Sequence, residues 1–167
     1  MMTVPLGGKK AAGRVALIDD EDYELVSRHK WYTLAYETWI YACATSPGSG
    51  GSGKLRMHKL ITGYPLTDHI NGDGLDNRRS NLRPATVAQN NHNARGWSDS
   101  SSRFKGVTWH QRDRKWQAAI KVNGTSRYLG YFISEEDAAA AYAAAALEIQ
   151  GEYAYAAREF SPQPLST

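Results

Sequence analysis

Apolar and polar positions alternate with a period of two in three blocks near the C-terminus, Gly106 to Trp109, Lys115 to Val122 and Thr125 to Phe132, which predicts three strands. Asn123-Gly124 joins the last two and is the strongest short hairpin signal in the chain, because both residues accept the positive φ of a tight turn. A helix is predicted next. Ser134 with Asp137 three residues later forms its start, and Ala138 to Leu147 is nearly all alanine, with Tyr142 and Leu147 as larger anchors. Side chains this small let the helix lie close on a three-stranded sheet. Toward the N-terminus the patterns are shorter. Arg14 to Ile18 predicts a strand, and Asp19 to Arg28 a short helix with Asp19 or Asp20 as N-cap and acids in its first turn. Thr38 to Thr45, with Trp39, Tyr41 and Cys43 on one face, should pair with Lys54 to Met57 across the glycine-serine segment Ser46 to Gly53. Met57 to Thr62 predicts a second short helix. A turn-rich stretch, Asp68 to Arg83, leads into a strand around Leu82 to Ala85, and Thr86-Val87-Ala88-Gln89 fits a capping box opening a further helix.

Composition narrows the class. The 167 residues are 41% hydrophobic and 22% charged, with five Trp, ten Tyr and three Phe, which argues for a folded protein over a disordered one. No apolar run approaches the roughly 20 residues a membrane span needs, no N-terminal stretch has signal-peptide character, and the single Cys43 cannot form an internal disulfide. A cytoplasmic protein with no membrane association is therefore expected. The polar run Ser98-Asp99-Ser100-Ser101-Ser102 marks a linker, giving a first domain over 1–97, a second over 103–160 and a tail over 161–167. The net charge of +3 says little as a total but is unevenly spread. Lys54 to Trp97 carries seven basic residues against three acidic, and Arg103 to Tyr128 seven against one, while Asp19 to Glu37 and Glu135 to Glu159 are acidic. Such segregation suits a chain that lays chosen faces on a polyanion, although solvated basic faces would read the same way.

The stretch from Asp68 to Arg83 packs carboxylates, an imidazole and several amides into sixteen residues: Asp68-His69-Ile70-Asn71-Gly72-Asp73-Gly74-Leu75-Asp76-Asn77-Arg78-Arg79-Ser80-Asn81-Leu82-Arg83. It could be a polar surface hairpin, since Asn-Gly and Asp-Gly are turn residues anywhere. It could equally be a phosphodiesterase site, with a carboxylate for a hard divalent cation, a histidine to deprotonate water and cations for phosphate. The combined Asp-His, Asn-Leu-Arg and Gln-Asn pattern, with Met57-His58-Lys59-Leu60-Ile61 upstream, resembles the HNH endonuclease family in its phage and intron-homing branch over residues 14–97. The resemblance implies a ββα-metal core at about 57–97, with Asp68 as metal-binding carboxylate, His69 as general base and Asn81 as the middle asparagine that holds the base or its loop. Asn90 takes the third family position. On the helix Asn90 and His92 lie about two hundred degrees apart, so either could be the metal ligand but not both. An Asp-plus-Asn oxygen set implies one Mg²⁺ or Mn²⁺ ion rather than tightly held zinc. Adjacent strand residues point to opposite faces, so Asp68 and His69 share a site only if the strand ends or twists there. Arg78, Arg79 and Arg83 are candidates for phosphate contact or for tying the loop to acids such as Asp73 and Asp76. His58 reads either as a packed residue or as part of the site.

The second module, carried by Arg103-Phe104-Lys105-Gly106-Val107-Thr108-Trp109, Lys115-Trp116-Gln117-Ala118-Ala119-Ile120, Tyr128-Leu129-Gly130-Tyr131-Phe132 and Glu135 to Tyr142, resembles the ethylene-response-factor (APETALA-type) DNA-binding domain over about 103–160. That implies a three-stranded antiparallel sheet on one helix, the sheet entering the major groove of double-stranded DNA. Matching positions place Lys105, Thr108, His110, Lys121 and Tyr128 on DNA, with Trp116 as an aromatic that packs. Arg112, Arg114, Lys115 and Arg127 join them on charge. Where the plant pattern has arginines and a glutamate, this chain has Thr108, His110 and Ala119, so base preference does not transfer. The whole reads as an α+β protein in two parts, a monomeric metal-dependent nuclease that nicks or cleaves duplex DNA and a sheet that positions it. A DNA-binding regulator with a decayed nuclease fold is the competing class, and an RNA-binding module a third.

Overall fold

The computed structural model describes residues 1–9, 11–35, 39–46, 48, 53–93 and 100–154. The predicted linker therefore falls partly, and the predicted tail wholly, outside the described residues. The chain is a mixed α/β protein of small sheets and short helices, divided into two compact units, Met1–Asn90 and Asn91–Thr167.

In the first unit, β1 (Met2–Pro5) pairs antiparallel with β2 (Val15–Ile18), and β3 (Tyr32–Ala35), β4 (Ile40–Thr45) and β5 (Lys54–Arg56) form an antiparallel sheet in that order. The expected β4–β5 hairpin forms, and Ser46 N donates to Gly53 O at 3.0 Å to close it. Helix α1 (Tyr23–Ser27) is shorter than the Asp19 to Arg28 pattern predicts, since Asp20–Asp22 is a 3-10 turn. Asp19 makes no side-chain cap; its carboxylate instead accepts from the backbone of Arg79 at 2.8 Å, a partner sixty residues away that no local pattern reveals. Helix α2 (Met57–Thr62) has the predicted bounds. Its Met57 and Ile61 join Val4, Ala16, Ile18, Val26, Trp31, Ala42, Ala44 and Leu82 in one core. Strands β6 (Thr67–His69) and β7 (Leu82–Pro84) pair antiparallel, and α3 (Val87–Asn93) follows, its residues from Asn91 onward counted with the second unit. Thr86 and Gln89 make the full reciprocal capping box, Gln89 N to Thr86 Oγ1 at 3.2 Å and Thr86 N to Gln89 Oε1 at 2.8 Å.

The second unit holds β8 (Val107–His110), β9 (Lys115–Val122) and β10 (Thr125–Phe132) as an antiparallel sheet with β9 central, packed on α4 (Glu135–Gln150). Asn123 and Gly124 both take positive φ at the hairpin, as its sequence demands. Ser134 caps α4, accepting from Glu136 N and Asp137 N at 3.1 and 3.3 Å. The alanine face of α4 lies against Val107, Ala118 and Ile120, and the one large buried side chain of the helix, Tyr142, needs room. Gly106 supplies it. A Cβ there would stand 2.0 Å from the Tyr142 ring and 2.8 Å from Ala119 O, and its φ of +74° is one that L side chains rarely adopt. Gly106→Ala should therefore destabilise the second unit by about 2–4 kcal/mol, read as a lowered melting transition, whereas Gly124→Ala at the open hairpin should cost roughly 1 kcal/mol.

Candidate functional site

The β6–β7 ladder sets Asp68 opposite Arg83 and His69 opposite Leu82. Directly opposed residues share a face, so the Asp68 carboxylate meets the Arg83 guanidinium, with Nε and Nη2 at 2.8 and 2.7 Å from Oδ2. Both side chains are buried, so each charge needs the other. His69 is the last residue of β6, and Gly72 N donates back to His69 O at 2.9 Å as the chain turns. The strand thus ends where the alternation of faces would otherwise separate the two residues.

Residues 70–78 make a loop held from both sides. Leu17 N donates to Leu75 O and Asn77 N to Leu17 O, each at 2.8 Å, stitching the loop to β2. From within, Asn81 accepts from Asn71 N at 2.9 Å and donates to Asn71 Oδ1 at 3.0 Å and to Asp76 O at 2.7 Å. Asn71 and Arg78 both donate to the buried Asp76 carboxylate, which these bonds hold below the usual carboxylate range. Arg79 forks onto Asp22 at 3.0 and 2.6 Å and touches Glu21. Arg78 and Arg79 tie the loop down in this structure, and Arg83 holds Asp68.

Three rings gather beneath the loop. The His58 and His69 centroids are 4.9 Å apart, edge to face, and Tyr41 lies 5.4 Å from His58 and 5.8 Å from His69. The loop backbone rests on Tyr41. A Cβ at Gly74 would stand 2.2 Å from Ile40 O and 2.6 Å from the ring. Burial lowers the His69 pKa and drives that of His58 down to about 3, helped by His69, Arg56 and Lys59, so the His58 ring is neutral. Among the described residues, buried His58 Nδ1 has no hydrogen-bond partner. Asn77 faces His69. Its Nδ2 donates to Leu75 O at 3.1 Å, which leaves Oδ1 as the acceptor 3.4 Å from His69 Nε2, a contact that favours the proton on Nε2. His58, Tyr41 and Asn77 were not separable from packed or turn residues in the sequence, because what links them to His69 is the packing of α2 and β4 on β6.

On α3, Asn90 and His92 are half-buried, and Asn90 N donates to Thr86 O at 3.0 Å. Among the described residues no three His, Cys, Asp or Glu side chains gather as a metal cage. The oxygen donors of Asp68 and Asn90 still suit a hard cation that keeps most of its shell for water and phosphate.

In the second unit, the register divides the sequence-predicted residues. Thr108 and Tyr131 flank Gln117, His110 lies opposite Lys115, Tyr128 opposite Ala119, and Ser126 opposite Lys121, all on the face of the sheet away from α4. Arg112 and Arg114 stand exposed in the turn between β8 and β9. Arg127 lies opposite the buried Ile120, hence on the other face, and Trp116 packs with Trp109, centroids 5.0 Å apart. Lys105 is not on a strand. Its ammonium donates to Asn91 O and His92 O at 3.0 and 2.8 Å, and burial lowers its pKa to about 8. Gln117 and Tyr131 share the outward face; Gln117 follows Lys115 at period two, but the irregularity between Tyr128 and Gly130 sets Tyr131 three residues beyond Tyr128, a placement that simple alternation does not reveal. No helix among the described residues is long and apolar enough to cross a membrane.

The chain is 30% identical over 156 residues to an uncharacterized HNH endonuclease of Acanthamoeba polyphaga mimivirus, covering 87% of this chain and 75% of that protein. It is also 32% identical over 151 residues to an AP2-like ethylene-responsive transcription factor of Oryza sativa subsp. japonica, and 35% identical over 155 residues to one of Arabidopsis thaliana. Each of those alignments takes in 77% of this chain but only 23% and 27% of the plant protein, so the chain spans about a quarter of their length. No protein-family model matches, and no solved structure matches.

The neutral His58 makes stability depend on pH. Its folded pKa lies below the unfolded value of 6.5, so its contribution is complete above pH 6.5 and is lost as pH falls toward 3, at about 1.4 kcal/mol per pH unit. Denaturant titrations at a series of pH values should show this loss, and His58→Phe should reduce it to the smaller part that the lowered His69 pKa contributes.

Proposed function

Because the chain belongs to the HNH endonuclease family, we propose that it is a metal-dependent endonuclease acting on duplex DNA, with β6, β7 and α3 as a ββα-metal core and the β8–β10 sheet as the element that positions the substrate. The observation that carries this reading is the placement of a buried His69, its pKa lowered by that burial, at the end of β6, beside Asp68 and next to a loop that Asn81 closes.

His69 Nδ1 takes a proton from a water molecule as the water oxygen forms its bond to phosphorus. The bond between phosphorus and the 3′ oxygen breaks, and that oxygen takes a proton from solvent water and leaves as a hydroxyl, which yields 5′-phosphate and 3′-hydroxyl ends, while His69 returns its proton to solvent. Asn77 keeps Nε2 protonated and the ring oriented; Asn81 keeps the loop that carries Asn77 in place. Asp68, with Asn90 or in its stead His92, would hold one Mg²⁺ or Mn²⁺, which supplies Lewis-acid stabilisation to charge building on the phosphoryl oxygens. Arg83 orients Asp68. With Arg78 and Arg79 committed to acids of the loop and of the Asp19–Asp22 segment, binding of the DNA backbone falls to the cations of the second unit, chiefly Lys115, Lys121, Arg112 and Arg114.

A second reading, a DNA-binding protein whose nuclease core no longer cuts, draws on the Arg83 pairing of Asp68. Plasmid nicking separates the two. With Mg²⁺ or Mn²⁺ the protein should convert supercoiled DNA to nicked or linear forms, EDTA should stop it, and His69→Ala and Asp68→Ala should each lower the rate at least 100-fold while leaving DNA affinity within about threefold. No cleavage by the unmutated protein, or full cleavage by His69→Ala, contradicts the nuclease assignment.

A further inference from the structure

We propose that the outward face of the β8–β10 sheet selects A·T base pairs in the major groove, with Gln117 reading adenine and Tyr131 and Tyr128 fixing the thymine side; the inference rests on the reading of that sheet as the DNA-positioning element. Its basis is the order of chemistry along the central strand. Lys115 and Lys121 stand at the two ends of the outward face of β9, six residues or roughly 20 Å apart, enough to bracket a groove about 12 Å wide and reach its phosphate walls. Arg112 and Arg114 add charge at the Lys115 end, where Asp113 Oδ2 lies 3.3 Å from His110 Nδ1.

Between the lysines the face is uncharged. One cross-strand row is Thr108, Gln117 and Tyr131, and the next joins Ala119 to Tyr128. No guanidinium stands in either row, so the usual bidentate reader of guanine is missing from the part of the sheet that meets base edges. What stands there suits A·T. The Gln117 carboxamide matches adenine N6 and N7, and the thymine methyl finds the methyls of Thr108 and Ala119 and the rings of Tyr128 and Tyr131. Those rings are exposed, 54% and 39%, yet braced: Tyr131 packs on Tyr128 at 5.4 Å and on His110 at 5.0 Å. Exposed tyrosines held in a rigid row lose little freedom when they bind.

The test is selection of the full-length protein, in EDTA, on a randomised duplex library, repeated with Gln117→Ala, Gln117→Arg and the pair Lys115→Ala with Lys121→Ala. The expected consensus has two or three adjacent A·T pairs at its centre. Gln117→Ala should cut discrimination at one of them roughly tenfold, Gln117→Arg should turn that position toward G·C, and the lysine pair should weaken binding to all sequences alike. A G·C or featureless centre, in a protein whose affinity still falls with the lysine pair, overturns the A·T inference and leaves the sheet as the DNA-positioning element. Affinity unchanged by the lysine pair overturns both.

Discussion

The carboxamide of Asn81 bonds to Asn71 near the start of the loop between β6 and β7 and to Asp76 near its end, and closes the loop on itself. Each bond is worth only about 1 kcal/mol net, but leaving one of these partly buried groups unpaired costs about 1–3 kcal/mol, so the closed loop is held as a unit. Its remaining contacts follow. With the loop closed, Asn77 reaches the His69 ring, Gly74 lies on Tyr41, and Arg79 arrives at Asp22. The position and protonation of His69 are thus set by amides, and the neighbouring imidazole and phenol rings pack against its ring.

Charge in the protein is divided by task. The arginines of the first unit that the sequence offers for phosphate, Arg78, Arg79 and Arg83, each lie against a buried carboxylate, where removal of either partner would strand a charge. Lys115 and Lys121 of the second unit stand on an outward sheet face, and Arg112 and Arg114 in its turn. In the proposed function this leaves the cutting site with little charge of its own to hold DNA, so the second unit acts as the anchor and the tether raises the local concentration of the site.

Local chemistry was legible in the sequence wherever a rule acts over a few residues. The Thr86–Gln89 capping box, the Asn123-Gly124 turn, the Ser134 cap and the bounds of α2 needed only neighbours along the chain. Strands β1 and β3 carry no distinct signal in the sequence. Asp19 looked like a helix cap because an acid before a helix usually is one, yet an orphan backbone donor at Arg79 claims it. Of the candidate site, Asp68, His69 and Asn81 were legible as a pattern, while the His58–His69 contact and the two roles of the arginines depend on tertiary packing. The outward sheet face was half legible. The family resemblance points to Lys105, Thr108, His110, Lys121 and Tyr128 and charge adds Arg112, Arg114, Lys115 and Arg127, but the register puts Arg127 on the other face and Lys105 lies off the strands.

The central claim is that Asn77 and the loop closed by Asn81 present His69 as a neutral imidazole with its lone pair on Nδ1. Nitrogen-15 NMR of the histidine side chains in the unmutated protein at neutral pH, with His69 assigned by its loss in His69→Ala, measures this directly. The account predicts the neutral Nε2–H tautomer for His69, with Asn77→Ala mixing the two tautomers. An Nδ1–H tautomer in the unmutated protein would contradict it.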